Sequence, residues 1–324
     1  MRMNKAYAVH GILLVAAAGL MGCDDAASGS AAQTPSANDP IVTVEHQLGT
    51  TRITHRPERV VAFDMSELDT LDQLDAPVAG IAKDYVAHFL SKYKDDPNVM
   101  DVGTTIQPNL ERLHKLKPDL ILISPLQAQS YQELSRIAPT LHYDIDMTNH
   151  QGHVLETAKA HLLTLGKILG KEELAREKVQ QIDDKIAQVR EVTLNRPEKA
   201  LIVLHNNGAF TSFGTHSRYG FIFDTLGVQP AGPDRETGTH GQPISNEFIQ
   251  QADPDILYVI DRTAVMERRA ALNAQSLDNP LLRQTKAWKS GKVIFVDPET
   301  WYLCTASVTC LTRIADEVMT GYRS

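Results

Sequence analysis

The sequence lacks an excess of positive charge and lacks an apolar run long enough to span a membrane. Its 324 residues carry a formal net charge of -8, which argues against nucleic-acid binding because neutralising phosphates needs a basic surface. A small anionic ligand is not excluded, since it feels the local field of its cleft rather than the total charge. The composition, 42% apolar and 22% charged, is that of an ordinary globular protein, and the length favours two domains.

Motifs of the common hydrolases and nucleotide-binding enzymes are also missing. The sequence contains no HExxH, no GxSxG and no GxxxxGK[ST] segment. Its three cysteines form no CxxC pair, so a zinc site is not expected. We therefore expect no enzyme and no intrinsic cofactor; a hydrolase and a structural envelope lipoprotein are the weaker alternatives.

The N-terminus has the pattern of an export signal. Arg2 and Lys5 precede an apolar stretch, Gly11 to Met21, which is about half as long as a spanning helix. Leu20-Met21-Gly22-Cys23 then resembles a lipobox, so we predict a signal peptide over 1–22 and lipid on Cys23. The small polar residues up to position 40 predict a flexible tether over 23–40. The folded part would then lie on the periplasmic side of the bacterial inner membrane, although a plain signal with an incidental cysteine stays open.

Two cysteines remain in the folded part, and export bears on their state. Cys304 and Cys310 form an even pair close in sequence, and an oxidising compartment favours a disulfide between them. Whether they are joined is left open by the sequence.

The remaining sequence predicts an α/β fold. Short apolar runs alternate with amphipathic helical stretches, and continuous runs such as LILI and ALIVL are typical of parallel strands buried on both faces. The predicted strands are Val60–Phe63, Val78–Ile81, Leu120–Ser124, Ala200–His205, Ile256–Ile260 and Val293–Val296.

An internal repeat indicates that this architecture occurs twice. PNLERLHKLKPDLILIS (108–124) and ISNEFIQQADPDILYVID (244–261) align on Pro118 and Pro254, which matches Glu111 with Glu247. Between the copies, apolar residues at helical spacing predict a bridging helix over 171–195, about 35 Å long. The predicted fold is two Rossmann-like α/β lobes, 41–170 and 196–324, bridged by this single long helix with a ligand cleft between them. Two helices packed on one lobe are the alternative.

These segments resemble the helical-backbone class of periplasmic binding proteins, which deliver iron chelates, haem and cobalamin to importers. The resemblance covers roughly residues 41–322 and includes RITHRPERVVAFDMSELDTLDQL (52–74) and the 108–124 segment. Within the class, FGTHSRYGFIFDTLG (213–227), TGTHGQPISNEFI (237–249) and VIFVDPETWYL (293–303) resemble the catecholate siderophore branch, typified by the enterobactin and petrobactin binders.

The resemblance implies a metal-binding pair in the second lobe. His240 lies between glycines in a predicted loop, and Tyr302 lies in a predicted loop beyond the last strand. At these positions the branch supplies an imidazole nitrogen and a phenolate oxygen to Fe(III), which arrives bound to a siderophore. Together they would complete the coordination of a tetradentate chelate. An exposed loop histidine and a packing tyrosine are the alternative interpretations.

The resemblance also implies residues that contact the chelate. Arg218 and Arg262 match cleft arginines that would meet its negative charge and stack on catechol rings. Leu126 stands where a third arginine is expected, so Lys83 or Gln127 is the substitute candidate. Trp301 is predicted to line the pocket, whereas Tyr219 is as consistent with core packing.

The predicted function is capture of a ferric catecholate siderophore, tetradentate in preference, by the lipoprotein subunit of an ABC importer. Glu111 and Glu247, one in each lobe, would dock on the inner-membrane permease. The alternative is that they are ordinary acids at helix N-termini, where the helix dipole favours negative charge. The protein is expected to be a monomer with no nucleic-acid partner. Haem or another iron chelate in the same fold is the alternative cargo.

Overall fold

Two sheets, one in each half of the described chain, organise the fold. The structure is a computed structural model that describes residues 42–145, 153–232, 236–238, 240–304 and 306–323. The predicted signal peptide 1–22, the lipidation site Cys23 and the tether 23–40 lie outside the described residues, and so does position 41.

The elements of the N-terminal half precede a long helix, α6 (Glu172–Thr193). Its strands are β1 (Val42–His46), β2 (Gly49–Ile53), β3 (Val60–Ala62), β4 (Val78–Ile81), β5 (Met100–Asp101), β6 (Leu120–Ile123) and β7 (Thr140–His142). Its helices are α1 (Met65–Gln73), α2 (Ser91–Asp95), α3 (Leu110–Leu116), α4 (Tyr131–Leu134) and α5 (His153–Leu169), with short 3-10 turns at His88–Leu90 and Pro125–Ser130.

The C-terminal half follows α6. Its strands are β8 (Lys199–Asn206), β9 (Ala209–Phe213), β10 (His216–Ser217), β11 (Gln229–Pro230), β12 (Glu236–Gly238), β13 (Gln242–Ile244), β14 (Ile256–Asp261) and β15 (Val293–Phe295). Its helices are α7 (Gly220–Asp224), α8 (Asn246–Ala252), α9 (Arg262–Glu267), α10 (Lys286–Lys289), α11 (Pro298–Leu303) and α12 (Val308–Thr320), with a 3-10 turn at Leu282–Gln284.

The two sheets differ in how their strands run. In the described chain the first sheet has the order β5-β4-β3-β6-β7, and all its pairs are parallel. The second has the order β13-β9-β8-β14-β15, with β11 added beside β8; here β8, β11, β14 and β15 pair in parallel, whereas β9 runs antiparallel to both of its neighbours, β8 and β13. The predicted α/β class is therefore confirmed, but the antiparallel strands were not foreseen.

The repeat in the sequence is also a repeat in the structure. Both α3 and α8 begin at a capping side chain, Asn109 or Ser245, and both end at a left-handed residue. The aspartate after each proline then ties the next strand to the sheet: Asp119 accepts from the Arg59 N–H at 2.8 Å, and Asp255 accepts from the Lys199 N–H at 2.9 Å. The two halves therefore share one local construction.

Helix α6 contacts both halves along its length. Near its start Lys178 Nζ donates to Gln73 Oε1 of α1 at 2.8 Å, and farther on Lys185 Nζ lies 2.8 Å from Asp316 Oδ1 of α12. Near its end Arg190 Nη1 donates to the Thr225 carbonyl at 2.5 Å. The buried face of α6 joins an apolar core that is continuous through both halves. The exact limits of the lobes, 41–170 and 196–324, stay a prediction.

None of the described helices combines the length and the apolar character that crossing a bilayer requires.

Candidate functional site at the carboxyl edges of the two sheets

The site is built from residues that follow the ends of parallel strands. In open α/β sheets the carboxyl ends of parallel strands meet at one edge, and ligands bind in the crevice there. In the first sheet Asp64, Lys83 and Ser124 follow β3, β4 and β6; in the second sheet Asn206 ends β8 and Arg262 follows β14. The polar residues of each half therefore collect at its carboxyl edge.

A cluster of two arginines and a tyrosine lies at the edge of the second sheet. Arg262 Nε donates to the Tyr302 hydroxyl at 2.7 Å, and its Nη1 donates to Asn206 Oδ1 at 3.1 Å. Arg218 Nη2 donates to the Tyr302 carbonyl at 3.2 Å. The two guanidinium carbons lie 5.8 Å (Arg218) and 5.4 Å (Arg262) from the centre of the tyrosine ring. Three of the predicted site residues are thus in direct contact, all half-buried.

Tyr302 lies on a short helix rather than on the predicted loop. Helix α11 begins at the N-cap Asp297, whose Oδ1 accepts from the Glu299 N–H at 3.1 Å, and Pro298 occupies its first position. Proline suits this position because its fixed φ and missing N–H cost nothing there. The prediction of a loop was wrong because the Asp-Pro-Glu start signal was taken for a turn.

Trp301 is a core residue and does not line the cleft. It is fully buried, its ring lies 5.4 Å from that of Tyr219 and 6.1 Å from that of Tyr258, and its Nε1 donates to Glu317 Oε2 at 2.5 Å. Burial raises the pKa of Glu317 above its ordinary value. The pocket role predicted for Trp301 is therefore wrong: the side chain instead anchors α11 and thereby holds its neighbour Tyr302. Tyr219 is also fully buried, in agreement with its interpretation as a core-packing residue.

His240 lies in a tight turn between β12 and β13. The Gly241 N–H donates to the Gly238 carbonyl at 3.2 Å, and both glycines have positive φ, +73° for Gly241 and +58° for Gly238. A Cβ on Gly241 would lie 2.5 Å from Thr211 Cγ2 and 2.7 Å from the Ser212 carbonyl, so the turn sits closely against β9. The His240 side chain is exposed.

The turn and α11 are linked through two buried aromatic residues. Gly241 packs near Phe213, whose ring meets Tyr219 edge-on at 4.8 Å, and Tyr219 donates its hydroxyl to the Trp301 carbonyl at 2.8 Å. Within the described part of the chain, no hydrogen bond or ion pair joins His240 to Tyr302 directly. His240 therefore does not belong to the arginine–tyrosine cluster: Gln242, the first residue of β13, pairs with Ser212 of β9, which pairs in turn with Val203 in the middle of β8.

Lys83 and Gln127, the candidates in the first half to replace the expected third arginine, are already hydrogen-bonded within that half. Lys83 Nζ donates to the carbonyls of Lys94 and Asp96 at 2.8 and 3.1 Å. Gln127 is 1% exposed; its Oε1 accepts from the Ser124 N–H at 2.9 Å and its Nε2 donates to the Thr105 carbonyl. The Gln127 amide is thus a structural cap, which contradicts its predicted contact with the ligand.

Contacts between the two halves border the site, and sequence reasoning missed them. Arg268 Nη2 donates to the Asp84 carbonyl at 2.6 Å. On the other side of the segment that follows β4, Glu299 Oε2 accepts from the His88 N–H at 2.6 Å and lies 2.9 Å from His88 Nδ1. Arg313 lies over the Phe89 ring at 4.6 Å. A sequence offers no signal for pairs so distant along the chain.

The two cysteines of the folded part form a disulfide beside the site. Cys304 and Cys310 are joined, with their Cα atoms 6.0 Å apart, and so link the end of α11 to α12. The start of α12 in turn contacts the first half, because the Thr309 N–H donates to Asp69 Oδ2 at 2.9 Å. The bridge therefore connects the Tyr302 helix to the element that packs on α1.

The two acids of the repeat lie on the surface, one in each half. Glu111 and Glu247 both occupy the first turn of their helices, α3 and α8, and both are exposed. The Ser245 side chain holds the pKa of Glu247 below its ordinary value, which keeps this carboxylate charged. The two helices thus offer the same charged group in the same local setting.

Acids that the sequence reasoning did not single out are enclosed at the edge of the first sheet. Asp64 caps α1 through its Oδ1, which accepts from the Ser66 N–H at 2.8 Å, and burial together with the nearby Glu67 raises the pKa of Asp64 to about 6. Glu67 is 1% exposed and lies 2.9 Å from His161 Nε2. An Asp before an apolar helical stretch is an N-cap signal, but its burial is a property of the fold.

Comparison with known proteins identifies the family. The model of the periplasmic binding proteins matches residues 60–300. The chain is 54% identical over 305 residues to the ferric-anguibactin-binding protein FatB of Vibrio anguillarum, covering 94% of each chain. It is 37% identical over 322 residues to the petrobactin-binding protein YclQ of Bacillus subtilis, covering 98% of this chain and 99% of that protein.

Solved structures agree with this assignment. The siderophore-binding protein BauB, bound to a complex between two molecules of acinetobactin and ferric iron, is 57% identical with a TM-score of 0.83, covering 87% of this chain and 98% of BauB. The structure of YclQ is 38% identical with a TM-score of 0.81, covering 87% of this chain and 99% of YclQ. These matches confirm the predicted resemblance and the two-lobed fold: the chain belongs to the periplasmic binding protein family.

Proposed function

We propose that the protein binds a ferric siderophore of the catecholate type between its two halves and delivers it to an ABC permease. The observation that carries the proposal is the cluster in which Arg218 and Arg262 flank Tyr302 at the carboxyl edge of the second sheet. A ferric catecholate is a bulky anion with aromatic faces. Guanidinium groups suit it because they attract the charge, stack on the rings and do not compete for the metal.

The relatives support the same cargo class. FatB and YclQ are named for binding ferric anguibactin and petrobactin, and BauB holds two siderophore molecules on one ferric ion. VctP of Vibrio cholerae, 29% identical with a TM-score of 0.77, is described as a catecholate-siderophore-binding protein. Iron would therefore enter as part of a chelate and not as a resident cofactor, and the protein would act as a carrier without catalysing a reaction.

Tyr302 and His240 are the proposed protein ligands of the iron. A tetradentate chelate leaves two coordination positions of Fe(III) open, and a phenol oxygen and an imidazole nitrogen can fill them. The Tyr302 hydroxyl already accepts from Arg262 and is half-buried, whereas His240 sits in an exposed turn. Binding would thus require the 238–241 turn and α11 to meet at one metal.

The remaining parts of the proposal concern where the protein works. Cys23 would carry a lipid that holds the monomer at the periplasmic side of the inner membrane. Glu111 and Glu247 would each dock on one side of a permease with two similar halves, since their local settings match.

Titration with iron chelates tests the coordination. We expect Tyr302→Phe and His240→Ala each to weaken a tetradentate ferric bis-catecholate roughly tenfold or more and to shift its visible charge-transfer band. A hexadentate tris-catecholate needs no protein ligand and should be much less affected. Absorption titration of each variant with each chelate provides the measurement.

The matched controls are Tyr131→Phe and His55→Ala, which alter the same side-chain types on the first half. They should leave both chelates unchanged. If Tyr302→Phe and His240→Ala behave like these controls, iron is not coordinated by the protein. A Soret band on titration with haem, without any response to catecholates, would indicate that the cargo is haem and not a catecholate.

A further inference from the structure

Two large apolar side chains are exposed at the carboxyl edge of the first sheet. Ile106 is 73% exposed and Leu126 is 57% exposed, the two highest values among the large exposed hydrophobic residues of the described chain. Ile106 lies between β5 and α3, and Leu126 lies in the 3-10 turn that follows β6. Exposure of such side chains to water is unfavourable, so a contact that covers them would be stabilising.

The loops that carry these residues are held together. Gln127 Nε2 donates to the Thr105 carbonyl, so the neighbours of Leu126 and Ile106 are bonded to each other across the ends of β3 and β4. The Gln127 amide also closes the cap at Ser124. Ile106 and Leu126 therefore stand on one fixed rim, called here the apolar rim.

The apolar rim adjoins the contact between the two halves. Thr105 donates through its N–H and its hydroxyl to the Asp84 carboxylate, at 3.0 and 2.8 Å. The carbonyl of the same Asp84 accepts from Arg268 of the other half at 2.6 Å. Ile106 is thus next in sequence to Thr105, which bonds to Asp84, and Asp84 bonds to the second half. This locates the rim at the mouth of the cleft.

The two walls of the cleft differ in the cationic side chains that they present. The second half supplies Arg218 and Arg262, whereas the ammonium group of Lys83 in the first half is held by two backbone carbonyls, those of Lys94 and Asp96. From this asymmetry we infer that the cargo is an iron chelate of low net charge, whose anionic side faces the arginines and whose uncharged, apolar organic part packs on Ile106 and Leu126. This inference rests on the proposed function and specifies its substrate class.

A cation introduced on the apolar rim tests the inference, because it should change the relative affinity for two chelates of different net charge. The probes are a linked ferric bis-catecholate and the more highly charged linked ferric tris-catecholate, titrated by fluorescence quenching. Leu126→Arg should shift the ratio of the two affinities roughly tenfold towards the tris-catecholate, because a cation now faces the extra charge. Leu126→Ala and Ile106→Ala should instead weaken the bis-catecholate a few-fold. Leu163→Arg, at an exposed leucine of α5, is the matched control and should change nothing.

Each other outcome counts against the inference. An affinity ratio that Leu126→Arg leaves unchanged overturns it while the proposed function stands. Unchanged binding by Leu126→Ala and Ile106→Ala together with reduced uptake in cells would show that the rim faces the permease, which also overturns it. If the unsubstituted protein binds neither chelate, both the proposed function and the inference fail.

Discussion

At the scale of single residues, the arginine–tyrosine cluster shows how a few side chains of the proposed anion site are held in a fixed arrangement. Tyr302 is fixed from three directions: its hydroxyl accepts from Arg262, its carbonyl accepts from Arg218, and its neighbour Trp301 is buried against two tyrosine rings. Adjacent residues on a helix point about 100° apart, so one can anchor while the next faces the cleft. Such preorganisation lowers the entropy that binding must overcome.

The enclosed carboxyl group of Asp64 gives a prediction about pH. Its pKa in the folded protein is about 6, above the value of about 3.9 expected in the unfolded chain. The folded state therefore holds the proton more strongly, and the stability that this group contributes is present below about pH 4 and lost as the pH rises to 6. Asp64→Asn keeps the helix cap and removes the buried charge.

We expect Asp64→Asn to raise the free energy of unfolding at pH 7 by up to about 3 kcal/mol and to change it little at pH 4. Urea unfolding at the two pH values provides the measurement. Asp75→Asn, at an exposed acid just beyond the other end of α1, is the control and should be neutral at both. Equal effects of Asp64→Asn at both pH values would contradict the assigned cause.

Residue-level prediction identified three residues that the structure brings together. Arg218, Arg262 and Tyr302 were predicted from the resemblance to the family, and they lie in contact. The prediction failed for Trp301 and Gln127, whose roles depend on the direction of the side chain. Neither the burial of Trp301 nor the hydrogen bonding of the Gln127 amide can be read from residue type. Those properties depend on packing against residues far away in sequence.

At the scale of secondary structure, the long apolar strands were predictable and the short antiparallel ones were not. Strands such as β6 and β14 are continuous apolar runs, buried along their whole length, so their pattern is unambiguous. The antiparallel partner β9 alternates weakly and is short. Even so, Asn207-Gly208 between β8 and β9 has φ values of +48° and +85°, and Asn-Gly is the usual signature of a tight hairpin.

The matched helices α3 and α8 support a prediction about transport. Each places an exposed glutamate in its first turn behind the same kind of cap. We expect Glu111→Ala combined with Glu247→Ala to leave chelate binding intact and to reduce iron uptake several-fold in cells that contain the permease. Each single substitution should give an intermediate loss, because the two contacts act together on one complex.

The control for this prediction uses acids in a similar setting. Glu172 and Glu173 are exposed in the first turn of α6 but lie outside the repeat. Their joint replacement by alanine should leave uptake unchanged. Equal losses from both pairs would indicate a general charge effect, and no loss from Glu111→Ala with Glu247→Ala would refute docking.

At the scale of the whole molecule, the two halves are joined by one stiff element and one continuous core. Helix α6 bonds to α1 at Gln73 near its start and to α12 at Asp316 near its middle, and α1 and α12 meet directly through Asp69 and Thr309. Such a connection favours small rocking motions over wide hinge opening. Sequence reasoning predicted the helix from its periodicity, whereas the direct α1–α12 contact needed the structure.

On the cleft side, polar contacts to the segment that follows β4 join the two halves. Arg268 binds the Asp84 carbonyl at one end of this segment, and Glu299 binds His88 at the other. These groups are partly or fully exposed, so each contact contributes little by itself. Because α6 and the core already hold the halves close, small contributions at the mouth can still decide how often the cleft opens.

We therefore expect Arg268→Ala combined with Glu299→Ala to speed release of the bound chelate by about three- to tenfold, with little change in the association rate. Stopped-flow displacement measures the release, and small-angle scattering of the ligand-free protein should show a larger radius of gyration. Arg283→Ala, which breaks an ion pair to Asp278 within the second half, is the control and should alter neither. Unchanged release and an unchanged radius in the double variant would mean that the helix and the core alone hold the cleft closed.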